Sequence, residues 1–306
     1  MNNPHSDHIP QEAFDWYDEY AHGKMDRRTF MKKLGGLVAL GYSMTVLTSA
    51  LLPNYALAEQ VSFNDESIKA TYQSFDSPNG HSKGQGYLVV PTQLKGKRPV
   101  VLVVHENRGL NPYVKDVARR LAKAGFVAFA PDALFPLGGY PGNDDEGRAM
   151  QSSMDKEKIQ NDFVAAAHYL KSHPLSNGKL GAVGFCFGGY IVNYLAAVDS
   201  SLLSAGVPFY GTPASEALRK NIKAPLMIQL AELDERVNAT WPDYERVNAT
   251  WPDYERDLKS LNVDYKMYMY KDANHGFHND STGRYDKPNA ELAWQRTLAF
   301  FEQHLV

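Results

Sequence analysis

Three residues of this chain have the types and the order needed for acyl transfer. Cys186, the only cysteine among 306 residues, stands in GAVGFCFGGY (181–190) between Gly184 and Gly188. Asp234 closes the apolar run PLMIQLAELD, and His275 lies in KDANHGFH. A thiol beside an imidazole whose tautomer is fixed by a carboxylate is a nucleophile for activated carbonyls. A lone cysteine is otherwise a small apolar core residue, Glu232 is a competing acid, and His275 is one of ten histidines. The reading therefore depends on the elements that hold the three.

Gly184-Phe185-Cys186-Phe187-Gly188 follows a buried run and leads into a helix-like segment, the context of a nucleophile elbow. A sharp strand-to-helix turn crowds the positions two before and two after the nucleophile, so both call for residues without a β-carbon. The elbow exposes its thiol at the positive N-terminus of the next helix, where the Phe187 amide can face a developing oxyanion. The chain order Cys, Asp, His, with each residue at a strand end, is that of hydrolases with this architecture.

The surrounding pattern predicts an α/β fold with a mostly parallel sheet. Residues 68 to 91 alternate apolar and polar positions around Ser77-Pro78-Asn79-Gly80, as two antiparallel edge strands do. VVLVVHE at 100–106 is continuously apolar up to its last two residues, as expected of a strand covered on both faces. Similar runs at 126–132, 179–185, 202–210, 225–234 and 263–270 alternate with helices expected at Asn111 to Ala124, Asn143 to Ser172, Gly188 to Val198 and Asn289 to His304. No internal linker divides them.

VVHENRGLNPYVKDVARRLAKAGFVAFAPD, SNGKLGAVGFCFGGY, AELD and ANHGFH, in that order, resemble the dienelactone hydrolases, also called carboxymethylenebutenolidase-like proteins. The resemblance implies an α/β-hydrolase fold and a Cys186, Asp234, His275 triad. It implies that Glu106 contacts the resting thiol and that the Asn107 amide joins that of Phe187 in the oxyanion hole. The alternative for Glu106 is an exposed loop carboxylate. Two arginines that hold the substrate carboxylate in well-known members correspond here to Pro136 and Asn279. Arg108 and Arg284 lie near the site loops in sequence and could compensate, or could be solvated surface charges. Dienelactone itself is therefore not the expected substrate.

The expected activity is hydrolysis of a small-molecule ester, lactone or related activated carbonyl through an acyl-enzyme, without cofactor or metal. Two other classes stay open: a thiol redox protein, which would lack a resolving cysteine, and a binding protein of the same fold that has lost turnover. Composition excludes little beyond this. With 43% apolar and 22% charged residues and a net charge of −3, the chain invites neither nucleic acid nor a membrane surface.

DRRTFMKKL at 26–34, followed by a largely apolar Gly35 to Leu52, resembles a twin-arginine export signal. Ala56-Leu57-Ala58 supplies a cleavage site before Glu59. Residues 1–58 are thus expected to be a leader read by the twin-arginine machinery. Residues 59–306 would be a periplasmic hydrolase domain with no stable membrane association. A retained anchor is the alternative, since the apolar stretch approaches the roughly 20 residues needed to span hydrocarbon. One cysteine forms no internal disulfide in an oxidising compartment.

ERVNATWPDY occurs twice in tandem at 235–254, directly after Asp234. A solenoid needs at least three repeats, so recent in-frame duplication is the simpler reading. A helix begun at Thr240 would meet Pro252 in its interior, at about 3 kcal/mol or more. One begun near Thr250 avoids it. The expectation is an interruption between Val247 and Trp251, with much of the first copy extruded beside the site and able to disturb the Asp234 loop.

Overall fold

The computed structural model describes residues 9–21, 23–238 and 253–306. Eight strands form one sheet among the described residues: β1 (Ile68–Ser77), β2 (Ser82–Pro91), β3 (Arg98–Val104), β4 (Val127–Pro131), β5 (Ser176–Phe185), β6 (Ala205–Phe209), β7 (Leu226–Ala231) and β8 (Tyr265–Tyr270). Their order is β1-β2-β4-β3-β5-β6-β7-β8. The β1–β2 and β2–β4 pairs are antiparallel and the rest parallel. This is the mostly parallel sheet with an antiparallel N-terminal edge that the sequence pattern predicts, in the α/β-hydrolase arrangement that the family resemblance implies.

Alternate residues of the continuous apolar strands enter two different cores. From β3, Val101 and Val103 pack into one with Val183 and Phe185 of β5, while Val100, Leu102 and Val104 pack into the other with Leu180 and Ala182. Helices α5 (Pro112–Lys123) and α12 (Lys287–Leu305) close the first core. Helices α7 (Lys156–Lys171), α8 (Phe187–Val198) and α11 (Asp253–Ser260) close the second. Burial on both faces is what removes the period-two signal from these strands.

Several boundaries differ from expectation. The helix expected over Asn143 to Ser172 is two, α6 (Asp144–Ser153) and α7. Met154 turns extended at ψ 157°, and the Asp155 side chain then accepts from the Glu157 and Lys158 amides, starting a new helix. The last helix begins two residues before Asn289, because Asp286 caps it and Pro288 occupies its first turn. A single turn, α9 (Glu216–Arg219), was not anticipated.

The N-terminal region is folded and helical, as α1 (Gln11–Ala21), α2 (Arg27–Ala39), α3 (Met44–Leu51) and α4 (Tyr55–Ala58). Phe14, Tyr17, Tyr20, Phe30, Leu34 and Leu47 make a third apolar cluster, in which the Tyr20 and Phe30 rings stack 4.9 Å apart. Arg27 and Arg28 are exposed on the first turn of α2, behind the Asp26 cap. No described helix is long and apolar enough to cross a membrane.

Candidate active site

β5 ends at Phe185 and α8 begins at Phe187, so Cys186 alone makes the turn, with φ 55° and ψ −113°. A non-glycine residue there is strained, and strain of this kind persists only when the surroundings over-determine it. Those surroundings are specific. The Cys186 N–H donates to Phe209 O on β6 at 3.1 Å. A β-carbon on Gly184 would lie 2.1 Å from Gly188 O, and one on Gly188 would lie 2.3 Å from Val104 O. Both obstacles are backbone and cannot yield. Cys186 is only 8% exposed, so its thiol is more covered than an open elbow would leave it.

Asp234 lies three residues past the end of β7 rather than on the strand itself, in the turn before the short helix α10 (Glu235–Asn238). Its Oδ1 accepts from the Val237 amide at 3.0 Å, and its Oδ2 stands 2.5 Å from His275 Nδ1. The competing acid Glu232 instead accepts from the Asp272 amide at 2.8 Å. His275, in the loop between β8 and α12, is buried. Burial alone would lower its pKa, but the carboxylates of Asp234 and Asp18 and the electrostatic influence of Cys186 outweigh it and raise the imidazole to about 10, against Arg236. The environment therefore favours the protonated imidazole.

Glu106 follows β3 and is buried. Burial pushes its carboxyl up, as does the Cys186 charge, while Arg108, Arg284 and His275 oppose the rise. Asn279 donates to Glu106 Oε2 at 3.2 Å, and Ser281 donates to Asn279 Oδ1 from its backbone at 3.1 Å and its hydroxyl at 2.6 Å, which fixes the amide's orientation. Asn279, one of the two positions where arginine was missed, thus holds Glu106 through a neutral group. His105 ties this loop to the next: its Nε2 accepts from Ala133 N at 3.1 Å, leaving Nδ1 to donate to Glu106 O at 2.5 Å. Asn107 lies beside Glu106 and donates from its side chain to Ala21 O of α1 at 2.9 Å. Phe187 opens α8.

The two arginines expected to compensate diverge. Arg108 is buried in a pair with Asp144 at 2.7 Å and also meets Tyr17 OH at 3.1 Å. Arg284 instead lines a cavity of about 320 Å³ together with Asp234, Arg236 and His275, and α1 supplies the opposite wall through Phe14, Asp15, Asp18 and Glu19. Pro136 is exposed in a single 3₁₀ turn, Phe135–Leu137.

Sequence reasoning missed three residues at this site. Tyr210, fully buried at φ 36°, packs its ring 5.0 Å from that of His275. It follows β6 directly, so the strand-end rule that found Asp234 could have found it. Arg236 places Nη2 within 3.2 and 3.4 Å of the two His275 ring nitrogens. Asp18 comes from a segment read as a leader, which carried no signal. Among the described residues no group of His, Cys, Asp or Glu is placed to hold a metal ion. The expected interruption between Val247 and Trp251 lies outside the described residues.

Residues 85–305 match the model of the dienelactone hydrolase family, and residues 1–38 match a second model described as YqhI-like. A provisionally named hydrolase fragment, YghX of Escherichia coli K12, is 61% identical over 109 residues, covering 36% of this chain and 93% of its own. A provisionally named carboxymethylenebutenolidase of Aquifex aeolicus is 34% identical over 232 residues, covering 73% of this chain and 94% of its own. Among solved structures, the dienelactone hydrolase-like promiscuous phosphotriesterase P91 from metagenomic libraries superposes with a TM-score of 0.65 at 22% identity, covering 78% of this chain and all of its own. That likeness concerns the fold alone.

Proposed function

The chain belongs to the dienelactone hydrolase family, and from that premise we propose that it hydrolyses small-molecule esters or lactones with Cys186 as nucleophile, His275 as acid and base, and Asp234 as the group that orients the imidazole. One observation carries this reading: a strained cysteine at a strand-to-helix turn shares its electrostatic environment with a buried His275–Asp234 pair.

The steps follow from that arrangement. The Cys186 thiolate adds to the carbonyl carbon, and the oxyanion forms opposite the amides of Phe187 and Asn107. The intermediate collapses, the C–O bond breaks, and His275 gives its proton to the departing alkoxide. Water then loses a proton to His275 and attacks the thioester, releasing the acid and restoring the thiolate–imidazolium pair. Good leaving groups suit a thiolate, which is itself easily expelled, so amides are poor candidates. Glu106, buried near the thiol and biased towards its neutral form, limits negative charge in the site before substrate arrives.

The family match gives no support to the redox or binding alternatives. The test is hydrolysis of p-nitrophenyl acetate by the purified protein, alongside Cys186→Ser and His275→Ala. Turnover lost in both variants supports the proposal, and turnover retained in either removes that residue from its role.

We propose further that residues 1–58 direct export by the twin-arginine machinery to the periplasm with cleavage after Ala58, on the strength of the Arg27-Arg28 pair, the apolar stretch behind it and the Ala-Leu-Ala site. Exposure of both arginines leaves them accessible to a receptor.

A further inference from the structure

Helix α1 touches the loops that carry the site. Ala21 O accepts from the Asn107 side chain at 2.9 Å, and the Gln11 amide donates to Asn274 Oδ1 at 2.5 Å, one residue before His275. At its centre Asp18 meets two arginines, one with each oxygen: Oδ2 lies 3.1 Å from Arg236 Nε and Oδ1 lies 3.4 Å from Arg284 Nη1. Arg236 in turn rests on the His275 ring. Arg284 is 5% exposed, its guanidinium lies 4.8 Å from the Tyr17 ring centroid, and its buried Nε has no hydrogen-bond partner among the described residues. Two convergent guanidinium groups, one not fully satisfied, form a receptor for a carboxylate-sized anion.

We propose that Arg236 and Arg284 are an anion site at the mouth of the catalytic cleft, that Asp18 of α1 is its resident occupant, and that the N-terminal segment thereby covers the site until it is displaced. The proposal rests on the hydrolase reading for the identity of what is covered, but not for the covering itself.

Tethering makes such an occupant effective. A carboxylate held on the same chain competes at an effective concentration on the order of millimolar, so a diffusible substrate at micromolar concentration loses to it. Further contacts hold the segment in place. Asn54 N donates to Ser281 O at 2.5 Å, and α3 packs so closely that a β-carbon on Gly283 would stand 1.6 Å from Ala50 O. Cleavage after Ala58 would cut the tether, coupling exposure of the site to export.

The test uses the full chain with Asp18→Asn, which keeps shape and removes charge, and Asp18→Arg, which repels both arginines. Two rates are read: alkylation of Cys186 by iodoacetamide and hydrolysis of p-nitrophenyl acetate. Alkylation should rise at least tenfold in Asp18→Asn and further in Asp18→Arg, with hydrolysis rising in parallel. The direction discriminates, because losing the Asp18 charge by itself weakens the His275 imidazolium and would slow alkylation. If alkylation rises but no form hydrolyses the ester, the cover stands and the hydrolase reading fails. If the wild-type chain hydrolyses the ester and both rates in both variants stay within twofold or fall, with helical circular dichroism unchanged, the cover is overturned.

Discussion

His275 Nδ1 lies 2.5 Å from Asp234 Oδ2, with the two side chains 4% and 1% exposed, so the imidazole is oriented by a carboxylate that almost no water reaches. That isolation is why the pair shifts the imidazole so far, to about 10 from the usual 6.5, despite the opposing cost of burying a charge.

The folded state therefore holds a proton on His275 that the unfolded chain releases near pH 6.5. The stabilisation is complete below about pH 6.5, declines as pH rises through the window, and is lost above about pH 10. The His275 ring resonance followed by NMR should titrate in the upper part of that window. In Asp234→Asn the midpoint should drop, because burial then meets only the weaker fields of Asp18 and Cys186, and ester hydrolysis should fall about 10³- to 10⁴-fold. A His275 midpoint near 6.5 in the wild-type protein would contradict the ion-pair resting state.

Gly184→Ala should be among the most damaging single-methyl changes in the chain. The added carbon would lie 2.1 Å from Gly188 O and 2.4 Å from Gly188 C, and the helix start cannot retreat because Gly188 is itself lodged against Val104 O. Overpacking against backbone costs about 1–3 kcal/mol or more, so the melting temperature should drop by several degrees and Cys186 should lose its turn geometry. A variant that melts within a degree of wild type and hydrolyses at the wild-type rate would show that the elbow is looser than these distances imply.

Export has its own signature. Protein recovered from the periplasm should begin at Glu59 by mass spectrometry, and an Arg27→Lys, Arg28→Lys double variant should accumulate uncut inside the cell. A species that retains Leu37 to Leu52 at the destination would point to an anchor instead.

The sheet was legible because burial on both faces writes continuous apolar runs, and β3 and β7 begin within two residues of theirs. The residues proposed as nucleophile, acid and base were singled out for the same reason, since each lies within a few residues of a strand's end. What stayed hidden depends on single polar side chains. Asp155 splits one expected helix into two because its carboxylate satisfies two amides, a choice that the surrounding helical periodicity does not reveal. Asn279 as the partner of Glu106 requires two residues 173 positions apart to meet, and Asp18 on Arg236 requires 218. No local pattern encodes such pairs.

The tandem repeat should prove dispensable, although its place after Asp234 suggests otherwise. Asp234 is held by groups that a deletion of residues 245–254 leaves alone: Val237 N at 3.0 Å and His275 at 2.5 Å. Asn238 adds an anchor of its own, donating to Ala231 O at 2.9 Å. Both junctions also survive. The deletion preserves LDERVNAT on one side, and on the other it joins Tyr244 to Glu255, recreating WPDYERDLKS. Tyr244 then takes the place of Tyr254, whose ring is buried and whose hydroxyl donates to Asn193 Oδ1 at 3.1 Å. Shortening the connection by ten residues changes loop-closure entropy by only about 1 kcal/mol, in the stabilising direction. The shortened protein should melt at the wild-type temperature or slightly above it and hydrolyse p-nitrophenyl acetate within threefold of the wild-type rate. A tenfold loss or gain would mean that the second copy reaches the His275 side of the cleft and alters the acid loop.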